Sequence, residues 1–131
     1  MTTPFDNPQA ELAWMFLQCL GDGDVDECFD LLSDDFTYWS IITRASVDKA
    51  EMRRQVERRK QDVQIALDLI RCVNDGDSVV VEAQGDGVTT NGVRYNSPYV
   101  FIFDTRDGLI VSLREYSDTQ LAAKALPGTA I

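Results

Sequence analysis

The chain has 131 residues, 44% of them hydrophobic, and a formal net charge of −10. That length suits one domain with a proper core, and the acidic balance repels phosphate backbones and anionic lipid, which argues against nucleic acid and membrane surfaces as partners. There is no histidine, so the usual zinc ligand, the usual base near neutral pH and every Ser-His or Cys-His scheme are excluded, leaving carboxylates, tyrosines, hydroxyls and amides to carry any chemistry.

In chain order, Asn7-Pro8 reads as a helix cap followed by a first-turn proline. Leu12, Met15, Phe16, Cys19 and Leu20 then recur at helical spacing, and Gly21 and Gly23 end the segment. Asp24 with Glu27 resembles a capping box for a second, shorter helix. FTYWSII, residues 36–42, is rich in β-branched and aromatic types and predicts a strand with Tyr38 and Ser40 facing one way, Trp39 and Ile41 the other. Asp48 and Glu51 predict a third helix to about Gln61 with Met52 and Val56 inward. Five of the chain's twelve basic residues, Arg53, Arg54, Arg58, Arg59 and Lys60, sit on this helix and read as a solvated face. Residues 63–73 alternate apolar and polar types, as a half-exposed strand does.

The stretch Val79 to Asp118 holds three apolar runs joined at Asn91-Gly92 and Asp107-Gly108, dipeptides that tolerate the positive φ of tight hairpin turns. Alternation puts Gln84 and Asp86 on one face of the first run, and Ser97, Tyr99 and Phe101 on one face of the next. Glu115 lies with Leu113 and Ser117, whereas Asp118 suits the cap of a final short helix, TQLAAKAL, ended by Pro127-Gly128. Arg114 is expected to pair with a carboxylate across the sheet. Cys19, Cys28 and Cys72 form no CxxC, and their odd count argues against a full disulfide framework, so they read as small buried apolar residues. No apolar run reaches the ~20 residues of a bilayer span, and MTTPFDNPQAE lacks the regions of a signal peptide. A cytoplasmic location is expected.

Helix, helix, strand, helix and four strands make an α+β order. With GDGDVDECFDLLSDDFTY at residues 21–38 and NGVRYNSPYVFIFDTRDGLIVSLREYSD at residues 91–118, it resembles the nuclear transport factor 2-like superfamily, in particular its SnoaL-like branch. The resemblance extends to ketosteroid isomerases and limonene-epoxide hydrolases. It implies one domain over residues 1–131: a cone-shaped, curved antiparallel sheet, a cystatin-like half barrel, with three helices of the N-terminal half on its concave face and a short C-terminal helix. It also implies a homodimer, no cofactor or metal, and a small apolar or carbonyl-bearing ligand in the cone.

Residue by residue, the ketosteroid isomerase base position holds Ser40, the helix-one tyrosine is Phe16, and the strand aspartate is Tyr99, so that mechanism is not expected here. Against limonene-epoxide hydrolases, Tyr38 matches the water-holding tyrosine and Ser40 replaces the asparagine. Asp86 matches one aspartate of the Asp-Arg-Asp set, Gln84 replaces the arginine, and Glu115 replaces the second aspartate. The expected catalytic set is Asp86, Glu115, Tyr38 and Tyr99, with Trp14, Phe16, Ser40, Met52, Gln84, Ser97 and Phe101 lining the cavity. An isomerase, cyclase or epoxide hydrolase using carboxylate acid/base chemistry is one expectation; a binding or dimerisation module is the other.

Overall fold

The computed structural model describes residues 7–125. The two ends of the chain, including Pro127-Gly128 after the expected final helix, lie outside the described residues.

Helix α1 (Pro8–Asp22) begins where Asn7 accepts the Ala10 amide at 2.9 Å, and ends at Gly23. Its buried face is Ala10, Ala13, Phe16, Leu17 and Leu20, rotated from the expected one, so that Met15 is about half exposed. Helix α2 (Val25–Phe29) is capped by Asp24, which accepts the Asp26 amide at 2.7 Å. The tight turn between the helices brings Cys19 and Cys28 to a Cα separation of 5.5 Å and bridges them as a disulfide, well inside the range such a bond requires. This corrects the reading of the two as plain apolar residues; only Cys72 is a free thiol among the described residues.

Strand β1 (Leu32–Ser40) starts earlier than FTYWSII suggests, and a short β2 (Ala45–Asp48) pairs back onto it. Asp48 then accepts the Glu51 amide at 2.9 Å and caps α3 (Lys49–Asp62). Strands β3 (Ala66–Asp75), β4 (Ser78–Val88), a two-residue β5 (Arg94–Tyr95), β6 (Pro98–Arg106) and β7 (Leu109–Ser117) follow, then α4 (Thr119–Ala125). Asp118 caps α4 as expected, accepting the Leu121 amide at 3.0 Å. The Asp107-Gly108 hairpin has φ of 53° and 78° at its two residues, the pair of positive angles such a turn needs.

The sheet runs β2-β1-β7-β6-β4-β3, with β5 on β4, and is curved and unclosed. All pairings are antiparallel except β1 with β7. A register shift at Ile70 interrupts the expected alternation of β3: past this bulge the inner positions pass from Leu67 and Leu69 to Cys72 and Asn74, and Ile70 and Val73 are left exposed. Helix α1 packs on β3 and β4, and α3 on β1. The covered face of the sheet is therefore a core surface of Val79, Val81, Ala83, Tyr99, Phe101, Phe103 and Leu113.

Candidate active site

Strand register decides which polar residues meet under the helices. Residues opposite each other in a sheet share a face. Tyr99 lies opposite Ala83 and Ser117, and Phe101 opposite Val81 and Glu115. Across the parallel pair, Ser40 lies opposite Glu115 and Tyr38 opposite Leu113. Tyr38, Ser40, Tyr99 and Glu115 thus all face inward, and each is buried.

Gln84 and Asp86 do not join them. The inner positions of β4 are Val79, Val81, Ala83 and Gly85, so Gln84 and Asp86 fall on the outer face. Asp86 is exposed and pairs with Arg94 at 3.4 Å. The Gln84 amide donates to the carbonyls of Gly85 and Asn96 at 2.9 and 2.6 Å. The two do share one face, as alternation requires, but on this strand small and apolar residues occupy the covered side. Gly85 is part of the reason: a Cβ there would sit 2.7 Å from Cε2 of Tyr99. Gly85→Ala is therefore expected to displace the Tyr99 ring and to lower both stability, by about 1–3 kcal/mol, and any activity that uses Tyr99. Thermal unfolding and turnover of the variant read the two effects.

Glu115 is 2% exposed. Burial pushes its carboxyl up to about 8, against smaller downward pulls from the Tyr38 hydroxyl and the Arg59 charge. Desolvation disfavours the ionised form, so the protonated acid predominates at pH 7. Burial also drives the Tyr38 and Tyr99 phenols well up, with the Glu115 charge as the second cause for each. Tyr99 donates to the Tyr95 hydroxyl at 3.1 Å, and the Tyr99 ring stacks on Phe101 at 5.1 Å. The Tyr38 hydroxyl lies beside Ser40 and Glu115 without closing a well-aligned hydrogen bond. With Gln55 Oε1, Arg59 Nε, Glu115 Oε2 and Ser117 Oγ, it is one of five buried side-chain atoms without a partner among the described residues.

Arg59 corrects a second expectation. It is 3% exposed, not solvated, and its charge faces Tyr99, Glu115, Tyr38 and Tyr95. The spacing Met52, Val56, Arg59 is helical, i, i+4, i+7, and that signal places Arg59 on the inward face, as it does Gln55. Tyr95, fully buried on the two-residue β5, had no such signal. Two other cations of α3 meet carboxylates, Arg53 with Asp26 at 2.5 Å and Arg54 with Glu51 at 2.9 Å, whereas Lys60 donates to the Gly23 carbonyl at 3.2 Å.

The remaining expected lining residues separate into wall and frame. Phe101 lines a small apolar throat with Leu17, Leu20, Gly21, Ile65, Leu67, Arg59 and Tyr99, about 30 Å³ in volume. A separate vestibule of about 360 Å³ shares Leu17, Gly21, Ile65 and Leu67 with the throat and adds Gln18, Asp22, Gln64 and Ala66. Phe16 and Met52 are fully buried in the core, and Trp14 packs partly buried against it; none of the three lines throat or vestibule. The Ser97 hydroxyl donates to the Pro98 carbonyl at 2.8 Å and accepts the Asp118 amide at 3.0 Å, tying β6 to the end of β7. Arg114 pairs with no carboxylate among the described residues. It lies over the Trp39 ring at 4.1 Å on the outer face and donates to the Tyr116 hydroxyl. Among the described residues, no three His, Cys, Asp or Glu side chains are grouped as a metal site requires.

A curved, open sheet that holds a buried acid and three tyrosines beneath its helices defines a nuclear transport factor 2-like cone. Several solved structures share this fold. An LEH-like epoxide hydrolase from Mycobacterium tuberculosis is 22% identical, with TM-score 0.76, over 91% of this chain and 89% of that one. PrhC from Penicillium brasilianum is 17% identical, with TM-score 0.82, over 90% and 85%. A candidate polyketide cyclase from Xanthomonas campestris pv. campestris is 22% identical, with TM-score 0.79, over 90% and 96%. The chain belongs to the SnoaL-like domain family, which matches residues 15–113. Among curated proteins, none matches the sequence.

Proposed function

We propose that this protein binds a small, mostly apolar molecule in its cone and acts on an epoxide or carbonyl oxygen without a cofactor, with Glu115 as general acid. One observation carries the reading: a fully buried carboxyl whose proton burial holds up to about 8, with Tyr38 and Arg59 acting on it, each of which carries a buried polar atom without a partner among the described residues. In this scheme the Glu115 proton passes to the substrate oxygen as its bond to carbon breaks, water adds to that carbon, and the surplus proton returns to the carboxylate. Tyr38 and the Tyr95-Tyr99 pair orient the oxygen and the water by hydrogen bonds, as neutral phenols well below their own ionisation can. The epoxide hydrolase and candidate cyclase among the structural neighbours are consistent with such chemistry.

A general acid must be protonated to work, so kcat/KM across a panel of epoxides and carbonyl compounds is expected to hold at neutral pH and fall as pH rises through about 8. Asp86→Asn, on the outer face, is expected to leave that profile within about two-fold. A rate that keeps rising above pH 8, or one lost in Asp86→Asn, overturns the assignment. The alternative, a binding or dimerisation module without chemistry, is favoured by the small throat, whose 30 Å³ holds about two waters. A ligand recovered unchanged, with no turnover anywhere on the panel, is its signature.

The expected homodimer finds support on the outer face of the sheet. Trp39, Arg114, Ile102, Val80 and Val73 lie in one row across five strands, with Tyr116, Val100 and the Glu82-Arg71 pair in the next. Val73 and Val100 are 52% and 37% exposed. An unpaired apolar stripe of this kind fits the same stripe of a second copy about a two-fold axis. Val100→Glu is expected to turn a sedimenting dimer into a monomer; wild type sedimenting as a monomer removes the proposal. The Cys19–Cys28 bridge argues against the expected cytoplasmic location, since cytosolic thiols are kept reduced.

A further inference from the structure

Acid chemistry at Glu115 leaves Arg59 without a use, and Arg59 is costly where it stands. Taking a guanidinium out of water is unfavourable unless an anion and a full set of acceptors replace the solvent. Here Nη1 donates to the Val63 carbonyl at 3.2 Å, Nε has no partner, and no ion pair within 4 Å is found for it among the described residues. The groups that face it, Tyr99, Glu115, Tyr38 and Tyr95, are three phenols and a carboxyl that is neutral at pH 7. The interior of the cone therefore holds a buried guanidinium with no ion-pair partner among the described residues. That charge also borders open space: Arg59 lines the throat, whose other walls are largely apolar, and the throat shares Leu17, Gly21, Ile65 and Leu67 with the wider vestibule.

We infer that the cone takes a slim monocarboxylate head first, its two oxygens paired with the Arg59 guanidinium and its apolar body lying along Leu17, Leu20, Ile65, Leu67 and Phe101. A planar two-oxygen anion matches the fork of an arginine in a way that a lysine site would not demand. The volume beside Arg59, about 30 Å³, suits two oxygens better than the three or more of a phosphate or sulfonate. The apolar walls give no partner to a hydrophilic body. The inference rests on the reading of the cone as a ligand site, and goes beyond it by fixing the charge and orientation of the ligand. Arg59 becomes the residue that selects for the anion, separate from Glu115, which acts on a neutral oxygen.

The test is calorimetric titration at pH 7 and low ionic strength with butanoate, hexanoate and octanoate, each against the alcohol and the amine of the same length. At least one carboxylate is expected to bind ten-fold or more tighter than its matching alcohol, with the amine weakest. Arg59→Gln is expected to erase that preference while the alcohol binds as before. Arg59→Met, which keeps the apolar stem, guards against a folding defect in the first variant and is expected to behave alike. Two results overturn the inference yet leave the ligand site standing: alcohols binding as tightly as carboxylates, or both variants losing alcohol and carboxylate equally, which marks Arg59 as a strut for the α3 exit. Wild type binding none of the nine probes overturns the inference together with the ligand-site reading for slim molecules.

Discussion

Glu115→Gln is expected to cost turnover about 10²–10⁴-fold and, at the same time, to change how the protein's stability responds to pH. The side chain keeps its shape but loses its transferable proton. The sign of the stability effect follows from the direction of the shift. In the unfolded chain the carboxyl titrates near 4.5; in the fold burial raises it to about 8. Below 4.5 it is protonated in both states and imposes no penalty. Between the two values the unfolded chain releases the proton while the folded chain must hold it, so stability falls by about 1.4 kcal/mol per pH unit. Above 8 the loss levels off, having reached on the order of 4 to 5 kcal/mol. The glutamine variant has no such window. Urea midpoints of the two proteins are therefore expected to lie close together near pH 4.5 and to separate steadily up to pH 8, with the variant the more stable. Parallel pH curves for the two proteins contradict the assignment of a raised carboxyl.

Phe16→Ala is expected to be the most damaging truncation in α1, at about 3–5 kcal/mol. Its ring is fully buried and meets Phe29 and Phe103 edge-on at centroid distances of 6.3 Å each, a geometry that adds to the burial itself. Because Phe16 lines neither throat nor vestibule, the folded fraction of the variant should keep its substrate preference. Denaturant unfolding gives the stability change, and kcat/KM ratios for two substrates give the preference. A change in that ratio with stability within about 1 kcal/mol of wild type reassigns Phe16 to the cavity wall, where its alignment with the isomerase tyrosine would have put it.

Much of the architecture was legible because it rests on local rules. The Asn7, Asp24, Asp48 and Asp118 caps, the Asp107-Gly108 turn and the placement of Glu115 inward with Asp118 at a helix start all follow from residue type and short-range alternation. The site was legible only in part. Alternation says that Gln84 and Asp86 share a face but not which face the helices cover; that depends on pairing with β6, where Ala83 rather than Gln84 lies opposite Tyr99. Taking the polar side of β4 as the pocket side reversed the strand. Arg59 was misread for the opposite reason. Four neighbouring cations made the helix look solvated, although its spacing from Met52 and Val56 pointed inward. Tyr95 and the Cys19–Cys28 bridge depend on how distant or turn-linked segments meet, and a two-residue strand and a lone pair of cysteines leave no period to read.

The protonation of the carboxyl at the heart of the cone is read from the Glu115 side chain itself, with the carboxyl carbon labelled and its NMR shift recorded from acid to alkaline pH, Glu115→Gln serving to assign the resonance. A midpoint near 8 is the predicted result. A midpoint near 4.5, the ordinary value for a glutamate, would contradict the account.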